Sequence, residues 1–133
     1  MEWKSEYSVG IPEIDEQHKQ LFACIERLES AGDEQQRELA VYFVIDELKE
    51  YVRVHFTVEE IVMRLFDYPD LEAHIAEHRE FAARLMALGK IELVHDIHGQ
   101  AGQFLRDWLL RHIMGSDQRY AAFLLQHGAS LRT

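Results

Sequence analysis

The strongest constraint on this chain is the spacing of its apolar residues, which recurs every three or four positions through four long segments. From Ile14 the stripe runs Ile14, His18, Leu21, Phe22, Ile25 and Leu28, which predicts a helix over about residues 13–30. A second stripe, Leu48, Val52, His55, Glu59 and Met63, predicts a helix over about 34–65. It ends at the turn Asp67-Tyr68-Pro69-Asp70, where Pro69 suits the entrance to the next helix. The third stripe is Leu71, His74, His78, Phe81, Leu85 and Leu88, and after Gly89 a fourth carries His98, Ala101, Leu105, Trp108, Leu109 and His112. Gly10, Gly32, Gly89, Gly115 and Gly128 fall where the periodicity stops. No stretch alternates apolar and polar residues between hairpin-type turn pairs, so strands have no support. The expectation is an all-α fold, an antiparallel up-down-up-down four-helix bundle. An N-terminal arm would cover 1–12, the bundle 13–114, and a C-terminal segment with a short helix 117–133, all in one domain over 1–133.

Composition narrows the function. A chain of 133 residues suits one compact domain. Its 14 Lys and Arg against 24 Asp and Glu leave a net charge of −10, so a surface that neutralises phosphates is not expected, and neither nucleic acid nor an anionic membrane is a partner. The longest apolar run, Ala40 to Ile45, is far short of the roughly 20 residues a membrane span needs. No basic region followed by an apolar core opens the sequence, and a cytoplasmic location is the expectation. Cys24 is the only cysteine and leaves no internal disulfide to form.

Eight histidines are unusual in such a chain, and their placement matters more than their number. His18, His55, Glu59, His74, His78 and His112 all lie in phase with the apolar stripes and are expected to point inward. Residues four apart on a helix differ by about 40° around its axis. His55 with Glu59, and His74 with His78, can therefore each present two side chains to one centre. Glu60 falls off that face by the same arithmetic and reads as solvated. A single in-phase histidine is ordinarily a core residue with one satisfied hydrogen bond. Five of them with a carboxylate would leave many buried donors and acceptors unpaired, each costing about 1–3 kcal/mol, which a metal centre resolves at once.

Asp117 is a further candidate. On an unbroken helix it would point roughly 140° away from His112. Gly115 offers a place for the helix to end, so that Asp117 could swing back from the following turn; the alternative is that Asp117 caps a short helix starting near Gln118. Five imidazoles and two carboxylates are too many for one octahedral ion. With two bridging carboxylates and one solvent-derived bridge they suit two six-coordinate ions that share ligands and leave one position open. Imidazole and carboxylate without thiolate favour iron, with manganese or zinc also compatible. Ferritin-like sites use Glu-x-x-His pairs three apart, so the spacing here defines a different class.

These residues resemble the hemerythrin family, specifically its single-domain bacterial members. The resemblance runs from Trp3 through Val9-Gly10-Ile11, Ile14-Asp15-Glu16-Gln17-His18, His55-Phe56-Thr57-Val58-Glu59-Glu60, the His74 and His78 pair and Trp108-Leu109-Leu110-Arg111-His112-Ile113 to Asp117 and Tyr120. It implies two iron ions with an oxo or hydroxo bridge. His74, His78 and His112 would hold one iron, His18 and His55 the other, and Glu59 and Asp117 would bridge. Dioxygen is the implied ligand, at the iron of His18 and His55. Leu21, Phe56, Trp108, Leu109 and Ile113 would line its pocket, with Leu109, one turn before His112, shielding it most directly.

His95, His98 and His127 match no ligand position and read as polar surface or supporting residues. Cys24 lies off the His18 stripe. Tyr120 would either hydrogen-bond near the site or anchor the tail, and Asp15 would cap the first helix or accept a bond from a ligand. The expected function is reversible oxygen binding for storage, buffering or delivery in a bacterial cell. An oxygen or redox sensor acting through a separate partner is the first alternative. A di-iron oxidase or peroxidase-like enzyme is the second, and it has less support because no spare carboxylate or tyrosine is in phase with the pocket.

Overall fold

The structure, a computed structural model, describes residues 2–96 and 98–131. The expected arm and C-terminal segment reach Met1, Arg132 and Thr133, which lie outside the described residues, as does Ile97. All regular structure among the described residues is helical: α1 (Pro12–Glu29), α2 (Glu34–Leu65), α3 (Leu71–Ala87), α4 (Lys90–Asp96), α5 (Gln100–Arg111) and α6 (Gln118–Leu131), with a 3₁₀ turn at Ser5–Tyr7. A π-helical turn, His112–Asp117, joins α5 to α6 without a break. The chain is an all-α bundle, as expected, in which α1 packs on α2 and α5, and α2 on α3 and α4.

Local chemistry sets the helix ends. Pro12 opens α1 at a position where its missing N–H costs nothing. Asp33 caps α2 by accepting from the Gln36 backbone N–H at 2.8 Å. Asp67, with φ of 55°, turns the chain between α2 and α3. Gly10, at φ 83°, lies in the left-handed region, and Leu125 sits where a side chain would project. Asp15 does not cap α1. Its carboxylate accepts from Ser8 Oγ at 2.5 Å and the Val9 N–H at 2.8 Å, tying the arm to the bundle.

The first two stripes are buried along their whole length. The fourth is not one helix: α4 and α5 are separate, and His98, in phase with the stripe but read as a surface or supporting residue, lies exposed in the turn between them with Nε2 3.4 Å from the Ala31 carbonyl. The run His95 to Gly99 cannot sustain the apolar stripe, so α4 buries Leu93 and Val94 against α2 instead. His95 and His127 are exposed as well, and Cys24 is buried in the main apolar core, where burial pushes its thiol up. That core fills the bundle up to Phe56, Leu109 and Ile113. A smaller cluster of Met63, Tyr68, Tyr120 and Leu124 closes the other end. Between the two lies a layer of imidazoles and carboxylates. No helix among the described residues is long and apolar enough to cross a membrane.

Candidate metal centre

Four helical segments deliver the polar layer. α1 supplies His18, α2 supplies His55 and Glu59, α3 supplies His74 and His78, and the π turn supplies His112 and Asp117. All seven are at most 4% exposed. Asp117 arrives by a route other than the expected one. The helix does not end at Gly115; it widens, and the Gln118 N–H reaches the Ile113 carbonyl five residues back. A π turn takes about 4.4 residues, so a residue five after His112 returns to within roughly 50° of it. The widening gives an i, i+5 pair the alignment that an α-helix gives an i, i+4 pair.

Every imidazole turns Nε2 inward. Asp117 Oδ1 lies 3.0 Å from His74 Nε2 and 3.1 Å from His112 Nε2, while its Oδ2 lies 3.1 Å from His18 Nε2. Glu59 Oε1 lies 3.2 Å from His78 Nε2 and 3.4 Å from His55 Nε2. Its Oε2 is 3.6 Å from His18 Nε2 and accepts from the Tyr120 hydroxyl at 2.5 Å. Both carboxylates therefore face two groups of imidazoles at once. The ligand-type atoms form two overlapping sets, Glu59, His74, His78, His112 and Asp117 in one and His18, His55, Glu59 and Asp117 in the other, each within 4.8 Å.

The Nδ1 atoms are held from behind. His78 Nδ1 donates to Glu60 at 2.8 Å, His112 Nδ1 to Glu77 at 3.0 Å, and His55 Nδ1 to the Gln17 amide oxygen at 2.5 Å. Ser116 also donates to Glu77. Glu60 is thus no free solvated carboxylate: it misses the inner face, yet its reach across to α3 places it on a ligand-type imidazole. Neither Glu77 nor Gln17 is singled out by sequence periodicity, because both sit beside the stripe. Their signal is their position one residue before His78 and His18.

The geometry fits cations. His78 Nε2 faces His112 Nε2 at 3.0 Å, and with both Nδ1 protons held by carboxylates these are two opposed lone pairs. Seven buried polar atoms, among them His18 Nε2, His55 Nε2, His74 Nε2, Glu59 Oε1 and both Asp117 oxygens, have no hydrogen-bond partner. Native interiors rarely leave so many unpaired in one place. Without a cation the charges redistribute. Burial lowers the His18 and His112 imidazoliums, but Asp117 and Glu59 outweigh it and raise them to about 9 and about 10. Burial instead prevails at His55, which falls to about 4. Burial pushes both carboxylates up, yet the surrounding imidazoles hold Glu59 and Asp117 below the usual range. The bond from His112 holds Glu77 down at about 2.

Apolar rings wall the layer. Phe56 stacks on His78 at 3.8 Å between ring centroids, and Trp108 on His112 at 4.5 Å. Leu21, Phe56, Trp108, Leu109 and Ile113 belong to one buried cluster beside the imidazoles. Tyr120 is fully buried, its ring edge meets His74 at 5.2 Å, and burial beside Glu59 drives its hydroxyl far up. Tyr120 thus bonds at the site, the first of the two roles expected of it, and Glu60 and Glu77 add two carboxylates behind His78 and His112. Two clefts of about 310 and 80 Å³, which share Glu77 and Ser116, open beside His112 and His74.

Fold and site together define a helical bundle with a buried histidine–carboxylate cation centre. The Hemerythrin HHE cation binding domain matches residues 9–124, and the chain belongs to the hemerythrin family. It is 34% identical over 126 residues to a bacteriohemerythrin of Stenotrophomonas maltophilia, covering 94% of this chain and 82% of that protein. A hemerythrin-like protein of Naegleria gruberi is 34% identical over 125 residues, with 92% of each chain covered. The crystal structure of wild-type hemerythrin superposes with a TM-score of 0.69 at 29% identity, over 92% of this chain and 95% of that one.

Proposed function

We propose that this chain binds dioxygen reversibly at a non-haem di-iron centre, to store, buffer or deliver oxygen in a bacterial cell. The observation that carries the reading is the pair of overlapping ligand sets, three imidazoles against two, with Glu59 and Asp117 common to both. His74, His78 and His112 would hold one iron, and His18 and His55 the other, with Glu59 and Asp117 shared between them. The end with fewer imidazoles would be the one left open to dioxygen. A ferrous pair would supply the electrons that reversible dioxygen binding needs.

The rest is done by the chain. Leu21, Phe56, Trp108, Leu109 and Ile113 keep water and anions away from the open position, which reversibility requires. Leu109 is the residue that shields it most directly. The bonds to Gln17, Glu60 and Glu77 fix Nδ1 of His55, His78 and His112 as the protonated nitrogen and aim Nε2 inward. Tyr120 holds one Glu59 oxygen in place. The test is anaerobic loading with ferrous iron, iron counting, and visible absorption through repeated oxygen addition and removal. Two irons per chain and a charge-transfer band that comes and goes support the carrier. Irreversible oxidation on first contact with oxygen would move the assignment to an enzyme or sensor, and fewer than two irons would refute the centre.

A further inference from the structure

The two ends of the site differ in what stands behind the imidazoles as well as in how many there are. At the three-imidazole end, His78 and His112 each donate Nδ1–H to a carboxylate, Glu60 and Glu77. At the two-imidazole end, His55 donates to the neutral amide of Gln17, and His18 Nδ1 is buried with no hydrogen-bond partner. A carboxylate draws the Nδ1 proton toward itself and pushes electron density onto Nε2, making that nitrogen a stronger donor to a cation. A carboxamide accepts the same bond without the charge, and an unpartnered Nδ1 gives no push at all.

We infer that Glu60 and Glu77 act as positioning residues which make the three-imidazole end the stronger cation site, so that this end fills first and the Gln17 and His18 end fills second and more weakly. The inference rests on the two-cation reading given above. It supplies a reason for the asymmetry beyond ligand number: the end that keeps an open position is also the end whose imidazoles are left least electron-rich, so its cation stays the more electrophilic of the two. The side-chain exposures suit this division. Glu60 and Glu77 are 22% and 43% exposed, which lets them carry charge at low cost beside a buried layer.

The full chain, stripped of metal, is titrated anaerobically with cobalt(II) chloride, and the visible d–d absorption and heat of binding are followed together. Wild type is expected to take two equivalents in a tight and a weak class. Glu60→Gln with Glu77→Gln keeps both hydrogen-bond acceptors and removes both charges. It is expected to weaken the tight class by about 10- to 100-fold, the usual cost of losing such a partner, and leave the weak class in place. Gln17→Glu is expected to tighten the weak class by about tenfold. Nδ1–H proton resonances shifted by the bound cobalt report whether the bonds themselves persist in the Gln variants, and far-UV circular dichroism of the metal-free proteins checks the fold. An unchanged isotherm in the Gln variants, or equal loss from both classes, would overturn the inference while leaving the two-cation site standing. Wild type that binds fewer than two equivalents would instead overturn the two-cation reading itself.

Discussion

Removing the metal should destabilise the fold by an amount the structure sets. Seven buried polar atoms lack hydrogen-bond partners, and six of them, all but His18 Nδ1, face the space between the imidazoles. Taking the low end of the desolvation penalty, about 1 kcal/mol for each of the six, gives on the order of 6 kcal/mol that cation binding can recover. Unfolding entropy of about 2.1 cal/mol/K per residue makes about 0.28 kcal/mol/K for a chain of this length. The melting temperature of the loaded protein should therefore lie about 20 °C above that of the stripped protein. Differential scanning calorimetry on anaerobic samples, one stripped with chelator and one carrying two equivalents of ferrous iron, reads the difference directly. A gap below about 5 °C, with two equivalents verified as bound, would refute the reasoning: the orphaned atoms would then be satisfied without a cation.

Three further outcomes are expected. In the stripped protein His18 and His112 titrate near 9 and 10 against about 6.5 when unfolded, so their protonated forms stabilise the fold fully below pH 6.5 and lose that contribution as pH rises through about 9–10. Its melting temperature should fall over that window while that of the loaded protein, whose imidazoles are neutral ligands, holds; parallel curves would count against the assignment. Leu109→Ala removes a residue 3% exposed beside the site and should cost about 2–5 kcal/mol in denaturant unfolding while speeding autoxidation of the oxygenated protein. An autoxidation rate equal to wild type would show that Leu109 does not shield the open position. His74→Ala should lower iron below two per chain, and full retention by elemental analysis would contradict its ligand role.

The helical stripes were legible because amphipathic periodicity and burial are the same fact seen twice: His18, His55, Glu59, His74, His78 and His112 share their phase with residues such as Leu21 and Val52, and all are buried. The split between α4 and α5 was hidden because Ala101, Leu105 and Trp108 continue a plausible stripe back to His98, and nothing local announces that the turn wins. Asp117 could be suspected from its type but not placed. Its position depends on a π turn, which is an unfavourable local conformation that survives where the surrounding packing and the inward-facing carboxylate reward it. Glu60, Glu77 and Gln17 lie off the stripes, so periodicity could not assign them, although long side chains beside a stripe can reach around a neighbouring helix.

By itself, the sequence determined the class of this protein. An all-helical pattern with five in-phase histidines and a glutamate, and no thiolate set, leaves little that such a core can be except a histidine–carboxylate cation centre, because unpaired buried imidazoles would otherwise cost more than the fold can bear. Only the tertiary structure decided which residues share which end of that centre, how Asp117 reaches it, that Tyr120 bonds to Glu59, and which imidazoles are backed by charge. Those facts depend on distances between helices far apart in the chain, such as the reach of Glu60 on α2 to His78 on α3 and of Tyr120 on α6 to Glu59 on α2. Helical phase fixes the direction in which a side chain leaves its own axis, and packing alone fixes what it meets.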